Sequence, residues 1–309
     1  MSRPLHIACL QLEPKADFDS ALREIILRAE TAVNVGSELL AMPEYCGGLE
    51  TRGGAFTPPA ASEDKHPVLH GLCEYADKRK VWMVVGSIAI EAPNGKIFNR
   101  GYVIDDRGKI RSRYDKIHLF DIELSEKNSY KESQLITAGE EAVVTETPFG
   151  TIGHTICYDL RFPGLYRDLA QAGAEMLFVP AAFTRQTGQA HWHVLNRARA
   201  IENGAFVIAP CAVGSVQGGG ESYGHSLIVN PWGEVLADGD TLPGVIHATI
   251  DLEMVAKTRS RIPSVTADRD YQLTTGNSTS ATHKVTKANF RNDIQQESTN
   301  NQQTGRTAA

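Results

Sequence analysis

Three residues of reactive type share one kind of address in the chain. Glu44 directly follows an apolar run that ends at Pro43. Lys116 closes KIRSRYDK (109–116). Cys157 ends TIGHTIC (151–157) and precedes YDLRFPG, a sharp passage toward Pro163. A thiol attacks a carbonyl well only when a base takes its proton or a cation favours the thiolate. Glu44 is the candidate base. Lys116 is the candidate cation, for the thiolate and for a developing oxyanion. Strand, cysteine, turn and helix in that order follow the logic of a nucleophile elbow, which aims the next backbone N–H, that of Tyr158, at the oxyanion. The bland alternative for Cys157 is a buried small hydrophobe. That reading is preferred for Cys9, Cys73 and Cys211. Cys46 stands apart because it lies two residues from Glu44.

Other constellations carry less chemistry. His191 and His193 flank Trp192 on an expected helix, and their i,i+2 spacing argues against joint metal ligation. GGGESYG (218–224) is glycine-rich without phosphate-loop spacing and reads as a flexible loop. Asp159 and Arg161 read as an ion pair that holds the elbow. Arg197, Arg199 and Glu202 read as a solvated or interface face of their helix. No HExxH or Walker loop occurs.

These groups need strands that end together. LHIACLQL (5–12) reads as a buried strand. From Asp17 the period becomes helical, with Phe18, Leu22, Ile25, Ile26, Ala29 and Val33 on one face and Gly36 placed to end it. Strands are expected at 38–43, 81–90, 151–157, 175–180 and 205–212. Helices are expected at about 68–79, 163–172 and 189–202. Hairpins are expected at 97–116, around DDRG, and at 226–237, around Asn230–Gly233. Ligands of open α/β folds bind beyond the carboxyl ends of the strands, so Glu44, Lys116 and Cys157 are expected on one rim. SELLAMPEY (37–45) and AEMLFVPAAF (174–183) are alike, and each precedes a helix, a strand and a hairpin. Either the chain contains a duplication or both halves share a habit of α/β proteins.

Composition bounds the partners. The chain has 309 residues, 41% hydrophobic and 22% charged, which suits a globular protein. Its 31 Lys and Arg against 37 Asp and Glu argue against a nucleic-acid binder. No apolar run reaches the ~18–20 residues of a membrane span. The N-terminus lacks the pattern of a secretory signal. Five scattered cysteines without a CxxC argue for reduced thiols in a cytoplasmic protein. Residues 275–309 are rich in Asn, Gln, Ser and Thr and are expected to form a disordered polar tail beyond a domain at 1–274.

MPEYCGG (42–48), RYDKIHLFD (113–121) and GHTICYDLRFPGLYR (153–167) together resemble the Glu, Lys and Cys motifs of the nitrilase superfamily of carbon–nitrogen hydrolases. The likeness runs over roughly 4–271 and is nearest to the omega-amidase and deaminated-glutathione amidase branch. It implies a four-layer α-β-β-α sandwich, usually a homodimer or higher homo-oligomer through its outer helices. It implies Glu44 as general base, Lys116 as oxyanion stabiliser, Cys157 as acylated nucleophile, and Glu132, in YKES, as a second glutamate beside the lysine. No metal or organic cofactor is expected.

The expected activity is hydrolysis of a small carboxylate-bearing amide, such as a keto-acid monoamide or deaminated glutathione, with release of ammonia. An N-carbamoyl amide hydrolase, a nitrilase, and an inactive scaffold on the same fold are the alternatives. Arg185, in AFTRQTG, follows the strand expected to end at Pro180 and is the candidate grip for the substrate carboxylate.

Overall fold

The computed structural model describes residues 2–52, 55–125, 128–267, 269–274 and 282–285. Among these residues, twelve strands form the main paths of two sheets. They are β1 Pro4–Gln11, β2 Leu39–Ala41, β3 Trp82–Glu91, β4 Ile97–Ile104, β5 Ile110–Asp115, β6 Val144–Glu146, β7 Thr151–His154, β8 Met176–Phe178, β9 Phe206–Ala209, β10 Leu227–Val229, β11 Val235–Asp238 and β12 Gly244–Asp251. Five helices flank them: α1 Phe18–Asn34, α2 Pro67–Arg79, α3 Pro163–Gln171, α4 Arg185–Asn203 and α5 Glu253–Arg261.

The first sheet runs β12-β1-β2-β3-β4-β5, with a seventh, two-residue strand, Ala60–Ala61, paired parallel to β3, and the second runs β6-β7-β8-β9-β10-β11. Read along these orders, the pairings of both sheets are antiparallel, parallel, parallel, antiparallel, antiparallel. The two segments that look alike in sequence contain β2 and β8, the third strand of each sheet. The architecture is therefore a pseudo-repeat, as the first of the two readings expected.

Alternation along the strands sets the layers. Ile7, Cys9, Leu39, Ala41 and Val84 of the first sheet pack with Ile152, Met176, Phe178, Phe206 and Ile208 of the second. The intervening residues Ala8, Leu10, Leu40 and Met83 pack outward with Ile25, Ala29, Leu69 and Leu72 of α1 and α2. Leu177, Val207 and Leu227 pack outward with Tyr166 and Leu169 of α3 and Trp192 and Ala200 of α4. Helix, sheet, sheet, helix is the expected four-layer sandwich. Burying both faces also explains why the central strands are apolar throughout and do not alternate.

Local signals start and stop the helices. Asp17 caps α1, its carboxylate accepting from the Ser20 N–H at 2.8 Å. Pro163 opens α3, where its missing N–H costs nothing. Helix α4 begins at Arg185, four residues before the expected start. Gly188 in its first turn weakens the helical reading of the sequence. Packing requires that glycine: a Cβ there would stand 2.3 Å from Cγ of Tyr223. Glu221–Tyr223, expected as part of a flexible loop, is a short strand paired with Val213–Ser215.

Of the segment expected to be a disordered tail, residues 282–285 pair antiparallel with Tyr271–Thr274. The rest of 275–309 lies outside the described residues. Among the described residues no helix is long and apolar enough to cross a membrane.

Candidate active site

The end of β2 meets a bulge in β3. The β3–β4 register shifts between Val85 and Ile88, and Gly86 there lies under the chain leaving β2. A Cβ on Gly86 would stand 2.0 Å from the Met42 carbonyl oxygen and 2.4 Å from that of Pro43. The close approach carries Met42–Pro43 inward and delivers Glu44 to the sheet rim. Tyr45, the next residue, takes a left-handed backbone with φ of +53°. Its N–H donates to the Ser87 hydroxyl at 2.9 Å.

Lys116 follows β5, and its backbone N–H donates to the Asn99 carbonyl at 3.0 Å. Glu132 starts a single 3₁₀ turn, Glu132–Gln134. Cys157 follows β7 at the head of another, Cys157–Arg161, and has φ of +50°. Such a backbone is uncommon outside glycine and is retained where the surroundings over-determine it. The Cys157 N–H donates to the Pro180 carbonyl at 2.8 Å.

Asp159 locks the elbow from behind. Fully buried, it accepts from the Ile156 N–H at 2.8 Å, the Tyr114 hydroxyl at 2.7 Å, the His118 N–H at 3.0 Å and His118 Nδ1 at 2.7 Å. The expected Asp159–Arg161 ion pair is thus replaced by these four donors. Arg161 instead reaches over the Phe183 ring at 5.3 Å and meets His191 Nδ1 at 3.3 Å. Arg199, expected on a solvated face, is buried. Its Nε and a terminal nitrogen donate to the Leu160 carbonyl at 3.0 and 2.8 Å, and it also pairs with Glu202.

The structure brings Glu44, Lys116, Glu132 and Cys157 together around one cleft. Lys116 Nζ donates to Glu44 Oε1 at 2.9 Å and to Glu132 Oε2 and Oε1 at 2.9 and 3.1 Å. Glu44 Oε1 also accepts from the Asn99 amide at 2.9 Å, and its Oε2 accepts from the Ala182 N–H at 2.9 Å. Glu132 Oε1 accepts from the Tyr45 hydroxyl at 2.9 Å, and its Oε2 from the Phe120 N–H at 2.6 Å. All four residues are at most 7% exposed, so each charge depends on these partners and not on water.

The electrostatics fix the resting protonation. Burial lowers the Lys116 pKa, but Glu132 and Glu44 outweigh it and hold the pKa well above the ordinary lysine value. The ammonium stays charged. Cys157 is pushed well above the ordinary thiol value, first by burial and next by the Glu44 carboxylate. Lys116 opposes this and does not prevail. Cys157 therefore rests as a thiol, because one ammonium already faces two carboxylates and a thiolate would add a third negative charge.

Tyr158, Phe120, Phe56 and Phe183 form the apolar wall of the cleft, and Thr184 and Thr187 bring hydroxyl groups to it. The Tyr158 ring meets Phe120 edge-on at 5.3 Å. Arg185 is not part of this lining. It stands in the first turn of α4, its side chain 61% exposed, donating to Glu221 Oε1 at 2.6 Å. Sequence reasoning missed Tyr45 and Asn99 and placed Arg199 on a solvated or interface face. Tyr45 adjoins Glu44 and was open to discovery. Asn99 and Arg199 carry no local signal, since a strand asparagine and a helix arginine are most often surface residues.

Residues 6–260 match the carbon-nitrogen hydrolase family. The chain belongs to that family. This carbon-nitrogen hydrolase is 36% identical over 270 residues to a deaminated glutathione amidase of Synechocystis, covering 85% of this chain and 97% of that one. It is 34% identical over 258 residues to omega-amidase NIT2 of Homo sapiens, covering 83% and 92%. Among solved structures it resembles the C. elegans NitFhit protein, with TM-score 0.79, 31% identity, and coverage of 87% of this chain and 66% of that one. It also resembles Saccharomyces cerevisiae Nit3, a member of branch 10 of the nitrilase superfamily, with TM-score 0.74, 27% identity, and coverage of 84% and 95%. The carbon-nitrogen hydrolase is thus an amidohydrolase of the nitrilase superfamily, as the motifs implied.

Proposed function

We propose that this enzyme hydrolyses the amide of a short carboxylate-bearing substrate through an acyl-enzyme on Cys157. The observation that carries this reading is the buried Glu44–Lys116–Glu132 cluster beside a protonated thiol. A thiol held neutral needs a base at the moment of attack, and Glu44 faces it. The names of the relatives, deaminated glutathione amidase and omega-amidase, support the substrate class.

The substrate carbonyl carbon stands over Cys157 Sγ. As the S–C bond forms, Glu44 takes the thiol proton. Negative charge moves to the carbonyl oxygen, where Lys116 Nζ and the Tyr158 N–H stabilise it. Glu44 returns the proton to the amide nitrogen, the C–N bond breaks, and ammonia leaves. Water then attacks the thioester and gives a proton to Glu44. The C–S bond breaks, the sulfur recovers the proton, and the carboxylic acid is released. General acid–base help of this kind contributes ~10²–10⁴-fold. Glu132 keeps Lys116 in place and charged.

For the substrate carboxylate the assigned cation is Arg185, adjacent to Thr184 at the cleft. It must exchange its bond to Glu221 for one to the ligand. The proposed assembly is a homodimer through the outer helices, where Val194, Ile201 and Trp232 leave an exposed apolar face on α4 and the β10–β11 turn. Ammonia release measured across keto-acid amides, carbamoyl compounds and nitriles tests the reading. Turnover confined to carbamoyl compounds or nitriles would overturn it.

A further inference from the structure

His193, His225 and Asp238 meet at the surface on three separate segments. His193 lies in α4, His225 in the link before β10, and Asp238 ends β11. Their ligand atoms all lie within 4.8 Å of one another. His193 Nε2 donates to Asp238 Oδ2 at 2.9 Å, and His225 Nδ1 donates to Asp238 Oδ1 at 2.9 Å. The two imidazole centroids are 5.1 Å apart, with planes at 71°. None of the three lines the cleft at Cys157.

The surrounding backbone holds this constellation. His225 takes a left-handed φ of +51°. Its N–H donates to the Asp240 carbonyl at 2.7 Å, and its carbonyl accepts from the Trp192 indole at 2.7 Å. The His225 ring stacks on Tyr223 at 4.6 Å. Asp238 Oδ1 also accepts from the Asp240 N–H at 2.9 Å. A strained backbone and a fixed ring are more than a surface hydrogen bond needs.

We infer that His193, His225 and Asp238 form a site for one zinc-type divalent cation. Zinc binds imidazole nitrogen at ~2.0–2.1 Å and carboxylate oxygen at ~2.0–2.2 Å, so tetrahedral ligand atoms lie roughly 3.3 Å apart. The two 2.9 Å nitrogen–oxygen contacts run to different oxygens of Asp238, and the ligand atoms as a set lie within 4.8 Å of one another, so the three side chains draw together around the ion. To bind the ion, each imidazole gives up its hydrogen bond to Asp238 and offers the lone pair of that ring nitrogen to the metal. Two imidazoles and one carboxylate select zinc over magnesium or calcium. Water takes the fourth position, since all three side chains are partly exposed. The bound ion joins α4, whose beginning contributes Thr184 and Thr187 to the cleft, to the β10–β11 hairpin. The reaction proposed above needs no ion here, so this inference stands apart from that reading.

The test is calorimetric titration of zinc chloride into chelator-treated full-length protein. One zinc per chain is expected, in wild type and in Cys157→Ala alike. His193→Gln and Asp238→Asn should each weaken binding by roughly 10- to 100-fold or more, since even a partner of a ligand is worth that much. Zinc should raise the Tm of wild type and leave the Tm of His193→Gln/His225→Gln unchanged. Cobalt in place of zinc should give d–d bands without thiolate charge transfer, a readout that needs no variant to fold. Absence of binding by wild type, wild-type affinity in the double variant, loss of binding in Cys157→Ala, or a thiolate band with cobalt would each overturn the inference.

Discussion

Lys116 and Glu132 share two hydrogen bonds, from one ammonium nitrogen to both carboxylate oxygens, at 2.9 and 3.1 Å. This leaves Glu44 to meet the same ammonium through one oxygen only, at 2.9 Å. The two glutamates are therefore not equivalent. Glu132 accepts at least two hydrogen bonds on each oxygen, from Lys116, Tyr45 and Phe120, while Glu44 Oε2 accepts one, from the Ala182 N–H, and keeps a lone pair toward which a proton can move.

Glu44→Gln removes the base and should lower kcat by roughly a hundredfold or more, and its Tm should fall as well, since Lys116, Asn99 and the Ala182 N–H all donate to Glu44. Glu132→Gln turns an amide N–H₂ toward a site where every neighbour is a donor. It should cost both activity and about 1–3 kcal/mol of stability for the unpaired donor. Kinetics and denaturant unfolding on the same preparations decide this. Wild-type turnover in Glu132→Gln would reduce its role to structure.

Cys157→Ala should fold and lose roughly a thousandfold or more of turnover, because the acyl-enzyme cannot form. The raised thiol pKa adds a second expectation. Lys116 alone would suggest fast alkylation, but burial and Glu44 outweigh it. Iodoacetamide should modify Cys157 slowly at neutral pH, with a rate still rising above the pH where an ordinary thiol levels off. A rate that is flat from pH 7 upward would show a preformed thiolate.

Arg185→Ala should raise KM for carboxylate-bearing amides by roughly ten- to hundredfold, the worth of one charge-assisted hydrogen bond at ~1.5–3 kcal/mol. KM for a neutral short amide should stay nearly constant. Equal losses on both substrates would assign Arg185 to holding Glu221 and the start of α4.

His154 predicts an acid limit to stability. It is buried between the sheets, with Nε2 at 3.2 Å from both the Ser112 and Thr145 hydroxyls. Burial lowers its pKa from 6.5 to about 4. The unfolded chain therefore takes up a proton between those values that the folded chain refuses. The stabilisation is complete above pH 6.5 and is lost as pH falls toward 4, by about 3 kcal/mol. The urea midpoint should fall between pH 7 and pH 5, and His154→Gln should flatten part of that fall. An unchanged slope in the variant would place the acid sensitivity elsewhere.

Much of this was legible from residue order. Glu44, Lys116 and Cys157 each follow closely on the end of a strand, β2, β5 and β7, and the strand directions bring those ends to one rim. Glu132 was readable only by family resemblance, because a 3₁₀ turn after a hairpin has no periodicity to mark it. Arg199 was misread because a helix face is judged solvated or buried by its apolar spacing. What buries Arg199 is the Leu160 carbonyl, 39 residues away in sequence. The start of α4 was hidden for a related reason, since Gly188 is chosen by Tyr223 and not by the helix.

The pseudo-repeat has a mechanical consequence. Glu44 and Lys116 extend from strands of one sheet and Cys157 from a strand of the other, so no single layer owns the reaction coordinate. The side chains between the sheets, among them Ile7, Val84, Met176 and Phe178, set the spacing between Glu44 and Cys157 as a shim sets a gap. Shortening one of them, as in Phe178→Leu, lets the layers settle without touching any reacting group. A misplacement of about 1 Å can cost on the order of a hundredfold in rate. The catalytic rate of this enzyme is thus a ruler for the distance between its two halves.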